Sequence, residues 1–192
     1  MPFPDVEKDL TAIYPVTDIA QEEIFAEAFI KLGGKFIFCE NEQELLYNIN
    51  ILHENRGWQK LLCADQRILK LFQNNKIDIM EPADPEVEDA EACITGCEML
   101  VARTGSILLS SMQNLGRTAS VYYPVHIVFA YANQIVHDIE DGITAIRKKY
   151  GELPSMINLT TGASRTADIE KTLVVGVHGP GEVFCFFINA DL

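Results

Sequence analysis

Lys35-Phe36-Ile37-Phe38-Cys39, Lys60-Leu61-Leu62-Cys63-Ala64 and Lys76-Ile77-Asp78-Ile79-Met80 are three short apolar runs, each separated from the next by room for one helix. Runs of this length bounded by turn residues read as buried strands. The intervening segments carry helix signals. Asn41 with Glu44 forms a capping pattern ahead of Leu45, Ile49 and Leu52, and the helix stops near Gly57. Asp65 opens a second helix through Ile68, Leu69 and Phe72. Upstream, Asp18 with Gln21 predicts a capping box for a helix whose Phe25, Ala28, Phe29 and Leu32 share one face before Gly33-Gly34 end it. Strands alternating with helices predict a parallel sheet covered on its faces.

The pattern changes beyond residue 80. Glu81 to Ala92 holds Pro82, Pro85 and a run of acids, and reads as a connector. Met99–Ala102 and Ser106–Ser110 flank Arg103-Thr104-Gly105 and predict a β-hairpin. Met112–Ser120 reads as a loop. Pro124–Tyr131 is apolar enough for a central strand, with His126 as a core histidine. Asp138 opens a helix through Ile139, Ile143 and Ile146 that Gly151 closes. Met156–Leu159 predicts a buried strand, and Leu173–Val177 with Glu182–Ile188 a final strand pair. Met1–Pro15 has no sustained period and reads as an arm, leaving residues 16–192 as one α/β domain.

Between those last runs lies the stretch with most chemical content: Thr160-Thr161-Gly162-Ala163-Ser164-Arg165-Thr166-Ala167-Asp168-Ile169-Glu170, followed by His178-Gly179-Pro180. Glycine lets backbone approach a ligand closely, hydroxyls and free N–H groups donate hydrogen bonds, and a guanidinium forks onto an oxyanion. The block reads as a small-anion site. The competing reading makes Ser164 or Thr166 a helix cap, with Arg165 pairing Asp168 or Glu170 at the surface. Candidate binding residues are Thr161, Gly162, Ser164, Arg165, Thr166, Thr104, Gly105 and Gly179. His178 and Asp168 form the candidate acid–base pair, because histidine exchanges protons near neutrality. Three loops, at Thr104-Gly105, Thr161–Thr166 and His178-Gly179, are expected to meet at the carboxyl ends of strands, where open α/β sheets gather ligands. A few charge-assisted bonds less the cost of association suit weak binding of a small anionic metabolite better than a retained cofactor.

The residue order in this stretch resembles the C-terminal signature of the LUD-domain family, the lactate utilization protein C group. A looser likeness lies upstream at Ile94-Thr95-Gly96-Cys97-Glu98, Thr104-Gly105-Ser106, Gly116-Arg117 and Val125-His126-Ile127-Val128. Together they cover residues 88–188. Arg103 replaces an acidic residue common before the Thr-Gly pair, and Ala163 a proline in the loop. The resemblance implies an isomerase/CoA-transferase-like three-layer α/β sandwich, mostly parallel, with an antiparallel hairpin insertion. It further implies a lactate-oxidising system in which iron–sulfur partner proteins carry the electrons and this chain supplies binding or assembly. Two alternatives stay open: a free-standing enzyme of isomerase, CoA-transferase or cyclo-ligase type on phosphorylated or carboxylate metabolites, and an interaction module with a vestigial pocket.

The totals narrow the field. The 192 residues carry 15 basic and 28 acidic side chains, a net charge of −13, and a pI near 4.6. That balance disfavours nucleic acid and anionic membranes, which need basic patches. No signal-peptide pattern or spanning segment is evident, so a cytoplasmic protein is expected. The five cysteines are scattered and odd in number, which predicts reduced thiols. Cys93 and Cys97 are too few for a zinc or iron–sulfur site, so neither metal nor cofactor is expected in this chain. No Walker loop, dinucleotide fingerprint or serine-nucleophile elbow occurs. Self-association stays open.

Overall fold

The computed structural model describes residues 19–83, 89–166, 174–176 and 179–192. The chain runs α1 (Gln21–Lys31), β1 (Lys35–Cys39), α2 (Glu42–Arg56), β2 (Leu61–Cys63), α3 (Gln66–Asn74), β3 (Glu81–Pro82), β4 (Ala92–Gly96), β5 (Met99–Val101) and β6 (Ser106–Ser110). It continues through α4 (Ala119–Tyr122), β7 (Val125–Tyr131), β8 (Ile135–Val136), α5 (Ile139–Tyr150), β9 (Ile157–Thr160), β10 (Arg165–Thr166), β11 (Val174–Val175) and β12 (Glu182–Ile188). The arm expected at Met1–Pro15 lies outside the described residues.

Six strands form one sheet in the order β1-β12-β7-β4-β2-β3, and every pairing in it is parallel. Alternation along β12 shows how it is packed. Phe184, Phe186 and Ile188 face a core shared with Leu45 and Ile49 of α2 and Ile68, Leu69 and Phe72 of α3. Val183, Cys185 and Phe187 face the opposite core with Phe25 and Phe29 of α1 and Leu100, Ile107 and Leu109 of the hairpin. A strand apolar on both faces belongs inside a parallel sheet, and β12 lies between β1 and β7. The architecture is therefore a mostly parallel three-layer α/β sandwich. Its second outer layer combines α1 with a smaller mixed sheet, β8-β5-β6-β9, which α5 covers from outside through Ile146 against Val101 and Leu108.

Several expectations need correction. The third strand does not occupy Lys76–Met80. Lys76 adopts φ +57° and the Ile77 amide bonds back to Phe72, closing α3 and deferring the strand to Glu81–Pro82. Of the strand expected at Leu173–Val177, Val174–Val175 (β11) pairs antiparallel with β10 rather than with Glu182–Ile188, and residues 173 and 177 lie outside the described residues. The strand at Met156–Leu159 is not buried: Leu159 is 42% exposed on the edge of the smaller sheet. The cap of α1 is Ala20 without a side-chain bond, and Gln21 instead meets His137 Nδ1 at 3.3 Å. Asp18 lies outside the described residues. The caps at Asn41, Asp65 and Asp138 each accept backbone N–H groups as read. No helix among the described residues is long and apolar enough to cross a membrane.

Candidate functional site

The sheet order places a reversal between β2 and β4. From β2 the chain moves outward through α3 to β3, whereas from the neighbouring β4 it moves inward through the hairpin to β7. Crevices outside the carboxyl ends of strands at such a reversal are the usual ligand positions of open α/β sheets. Here a cleft of about 270 Å³ opens there, walled by Asp65 and Arg67, Thr95 to Cys97, Gln113 and Asn114, and Lys149 and Tyr150. Its size, below the ~300–1,000 Å³ of drug-sized sites, suits a small metabolite.

Each wall follows from local sequence. Asp65 leaves β2 and caps α3, accepting the Arg67 amide at 2.8 Å, and Arg67 Nη2 returns to its carboxylate at 2.8 Å. Burial pushes the Asp65 carboxyl upward, but hydrogen bonds from the Arg67 side chain and amide outweigh it and hold it below the usual range. Arg67 stays 60% exposed, and its Nη1 has no partner among the described residues. Gly96, the last residue of β4, leaves room for the Asp65 carboxylate, since a Cβ there would come within 2.9 Å of Asp65 Oδ2.

The facing wall is built on Glu98, fully buried and reached from three directions. Ser110 Oγ donates to Oε1 at 2.6 Å, Tyr150 Oη donates to the same oxygen at 2.9 Å, and Lys149 Nζ donates to Oε2 at 2.8 Å. A buried carboxylate requires such partners. Burial lowers the Lys149 pKa, but the bond to Glu98 outweighs it and the net shift is upward, so Lys149 is a cation near neutrality. Behind the cleft, Thr95 Oγ1 meets His126 Nε2 at 2.9 Å. His126 is wholly buried, burial pushes its pKa down to about 4, and its Nδ1 has no partner among the described residues. Burial likewise raises the Cys63, Cys93 and Cys97 thiols to about 12, so they remain neutral.

The anion-like loop occupies a different place. Ser164 N donates to Pro180 O, and Gly181 N to Pro124 O, which puts the loop at the amino ends of β7 and β12. The carboxyl-end placement is thus overturned, because β9 carries the loop along the second sheet rather than the first. Thr161, Gly162, Ser164 and Gly179 do come together, lining a hollow of about 240 Å³ with Ser120 and Asn158. Thr161 Oγ1 lies 2.6 Å from Ser106 Oγ. Gly105 (φ +61°) packs on α1, where a Cβ would come within 2.4 Å of Phe29 N, and the Thr104 hydroxyl is buried without a partner among the described residues. Arg165 does not line the hollow; its Nη2 donates to Leu32 O at 2.6 Å, closing the end of α1. Thr166 lies in β10, and His178 and Asp168 fall outside the described residues.

Sequence reading placed none of Asp65, Arg67, Glu98, Lys149 and Tyr150 in a binding site, although it gave Asp65 to a helix start and Glu98 to a family-like stretch. Two signals were available: Cys63-Ala64-Asp65 and Ile94-Thr95-Gly96 both end apolar runs, where the crevice rule applies. Tyr150 and Lys149, at the end of a remote helix, carried no local signal.

The chain is a mostly parallel three-layer α/β sandwich with a charged crevice at its strand reversal. Residues 22–188 match the LUD domain, and the chain belongs to the LUD-domain family. It is 37% identical over 98 residues to lactate utilization protein C of Bacillus subtilis, covering 50% of this chain and 41% of that one. The Deinococcus radiodurans protein of the same name is 34% identical over 109 residues, covering 54% and 51%. An uncharacterized protein of Neisseria meningitidis serogroup B is 26% identical over 181 residues, covering 94% and 72%. The chain thus spans about half the length of the lactate utilization proteins just described. The crystal structure of a DUF162 family protein from Deinococcus radiodurans shares the fold, with a TM-score of 0.62 at 21% identity over 89% of this chain and 99% of that one.

Proposed function

We propose that this chain acts in lactate utilization by binding a small carboxylate in the cleft between β2 and β4. The observation that carries this is the pair of cations, Arg67 and Lys149, that line one polar crevice at the sheet reversal, each bonded to a carboxylate. Each is oriented by its own acidic partner, Asp65 for Arg67 and Glu98 for Lys149, which also offsets the repulsion between the two like charges. Arg67 receives the carboxylate through its open Nη1 edge. The names of the relatives supply lactate as the metabolic context. Oxidising lactate moves two electrons, and iron–sulfur partner proteins are proposed to carry them while this chain holds the acid.

A second reading keeps the anion at the loop hollow, with Thr161, Gly162, Ser164, Arg165, Thr166 and Gly179 as receptor and His178 with Asp168 exchanging protons. The Ser106–Thr161 hydroxyl pair beside that hollow supports it. Titrating lactate, pyruvate and phosphate into wild type, Arg67→Ala and Arg165→Ala separates the two. The cleft reading expects Arg67→Ala to weaken carboxylate binding about tenfold, the loss of one charge-assisted bond, and Arg165→Ala to leave it unchanged. The reverse pattern would move the ligand to the loop.

A further inference from the structure

The central sheet ends differently on its two sides. On one side β3 is only Glu81–Pro82, a short strand carrying a charge and a proline, the devices that blunt an edge. On the other, β1 runs Lys35-Phe36-Ile37-Phe38-Cys39, and among the described residues it pairs only with β12. Its inner positions are all apolar, and Phe38 stays 39% exposed although it stacks on Phe187. An exposed apolar edge of this kind is a template for another strand.

The backbone shows which strand fits it. Cys39 O accepts from Asn189 N, so Cys39, and by the alternation of a strand Ile37 and Lys35, turn their backbone groups toward β12. Phe36 and Phe38 therefore turn their N–H and C=O groups outward. The outward amides that flank them are already spent: Gly34 N donates to Phe29 O, and Glu40 N to Glu44 Oε2. What stays open is an N–H and C=O pair at Phe36 and another at Phe38, placed evenly about Ile37. That arrangement is its own complement. An identical strand, antiparallel about a two-fold axis through Ile37, sets Phe36 opposite Phe38 of the partner subunit, and the two exchange N–H···O=C bonds. The same axis gives Phe38 the converse pairing.

Charge favours the antiparallel sense. Lys31 and Lys35 stand at the start of β1 with the Arg165 guanidinium on Leu32 O, whereas Glu40, Glu42 and Glu44 follow its end. Antiparallel pairing brings the basic start of one strand beside the acidic end of the other, which offsets the repulsion between two chains of net charge −13. Phe36 and Phe38 both pack on Phe187, so they share one face of the sheet, where the two copies form cross-strand aromatic pairs. We propose that β1 is the seam of a homodimer, in which two copies of this chain join their central sheets edge to edge through antiparallel β1 strands.

Sedimentation of the full chain reads its mass, and wild type is expected at twice 21.5 kDa at micromolar concentration. Phe38→Pro removes half of the seam's bonds and none of those to β12, because that amide faces outward. It is expected to sediment at 21.5 kDa with unchanged circular dichroism. Ile37→Cys places a thiol on the two-fold axis, opposite itself in a pair whose Cα atoms lie about 4.5 Å apart, and is expected to form a covalent dimer on oxidation. Phe38→Cys lies diagonal to its counterpart at roughly 7–8 Å and is expected to stay unlinked. The native cysteines are buried, so linkage reports the introduced thiol. A dimer that survives Phe38→Pro, or that links through position 38 and not 37, would overturn the β1 seam. A monomeric wild type would overturn it too: Phe36 and Phe38 amides protected from hydrogen exchange would then give the edge to another segment of this chain, and unprotected ones would show it open in solution.

Discussion

The two ends of the central sheet use polar residues differently. At the carboxyl end, Asp65 with Arg67 and Glu98 with Lys149 and Tyr150 hold fixed charges around an open cleft. At the amino end, the hydroxyl- and glycine-rich loop turns its contacts inward: Arg165 closes α1, Gly162 abuts Leu32, and Ser164 bonds Pro180. A run rich in Thr, Ser, Gly and Arg has the composition of an anion receptor. Whether it acts as one depends on whether its donors are left free or spent on the chain itself.

The strongest way to sharpen that contrast is to remove the centre of the cleft wall. Glu98→Ala is expected to cost about 3 kcal/mol, since Ser110 Oγ and the Tyr150 hydroxyl lose a buried charged acceptor. Urea denaturation measures it, and a loss under 1 kcal/mol would mean the cluster is solvated.

Behind the same wall, His126 makes stability depend on pH. Its folded pKa, about 4, lies below the ordinary 6.5, so between those values the unfolded chain binds a proton that the folded chain refuses. Stability is full above pH 6.5 and falls by ~3 kcal/mol by pH 4. The carboxyls of Asp65, Asp138 and Glu182, held low with hydrogen bonds from Arg67, Arg103 and Arg56 respectively, add losses that begin as the unfolded chain takes up protons near 4.5 for Glu182 and 3.8 for the two aspartates, and that end once the folded carboxyls are protonated. Unfolding measured from pH 7 to 4, with imidazole NMR at pH 5, checks this. A charged His126 at pH 5 contradicts it.

At the amino end the effects are smaller and structural. Gly162→Ala is expected to cost about 2 kcal/mol, because φ is +64° and the new Cβ would lie 2.5 Å from Leu32 O. Thermal unfolding reads it, and lactate affinity should be unmoved. Arg165→Ala should cost only about 0.5 kcal/mol, the value of an exposed cation at a helix end. A large loss of lactate binding in either variant would erase the distinction between the two regions.

Legibility followed the range of the interactions. The helices capped by Asn41, Asp65 and Asp138 were readable because a cap and an apolar face lie within a few turns of each other. The hairpin was readable because Gly105 marks its turn, at φ +61°. The loop at 161–166 was readable as a composition but not as a location. The sheet it follows is chosen by the pairing of β9 with β6, some fifty residues back, which no local pattern encodes. The charged crevice escaped for the same reason, since Asp65, Glu98 and Lys149 meet only once the sheet is ordered.

By itself, the sequence determined an α/β chain with a mostly parallel sheet, the caps of its main helices, the apolar character of β7 and β12, and kinship with the LUD family. Those properties rest on local propensity, hydrophobic period and residue order. Only the tertiary structure decided that β12 enters the middle of the sheet, that the strand reversal falls between β2 and β4, and that Arg165 serves α1 while Arg67 and Lys149 face a cleft. Each of these depends on which distant segments share a core, and burial of apolar surface is non-directional, so chain topology has to supply the address.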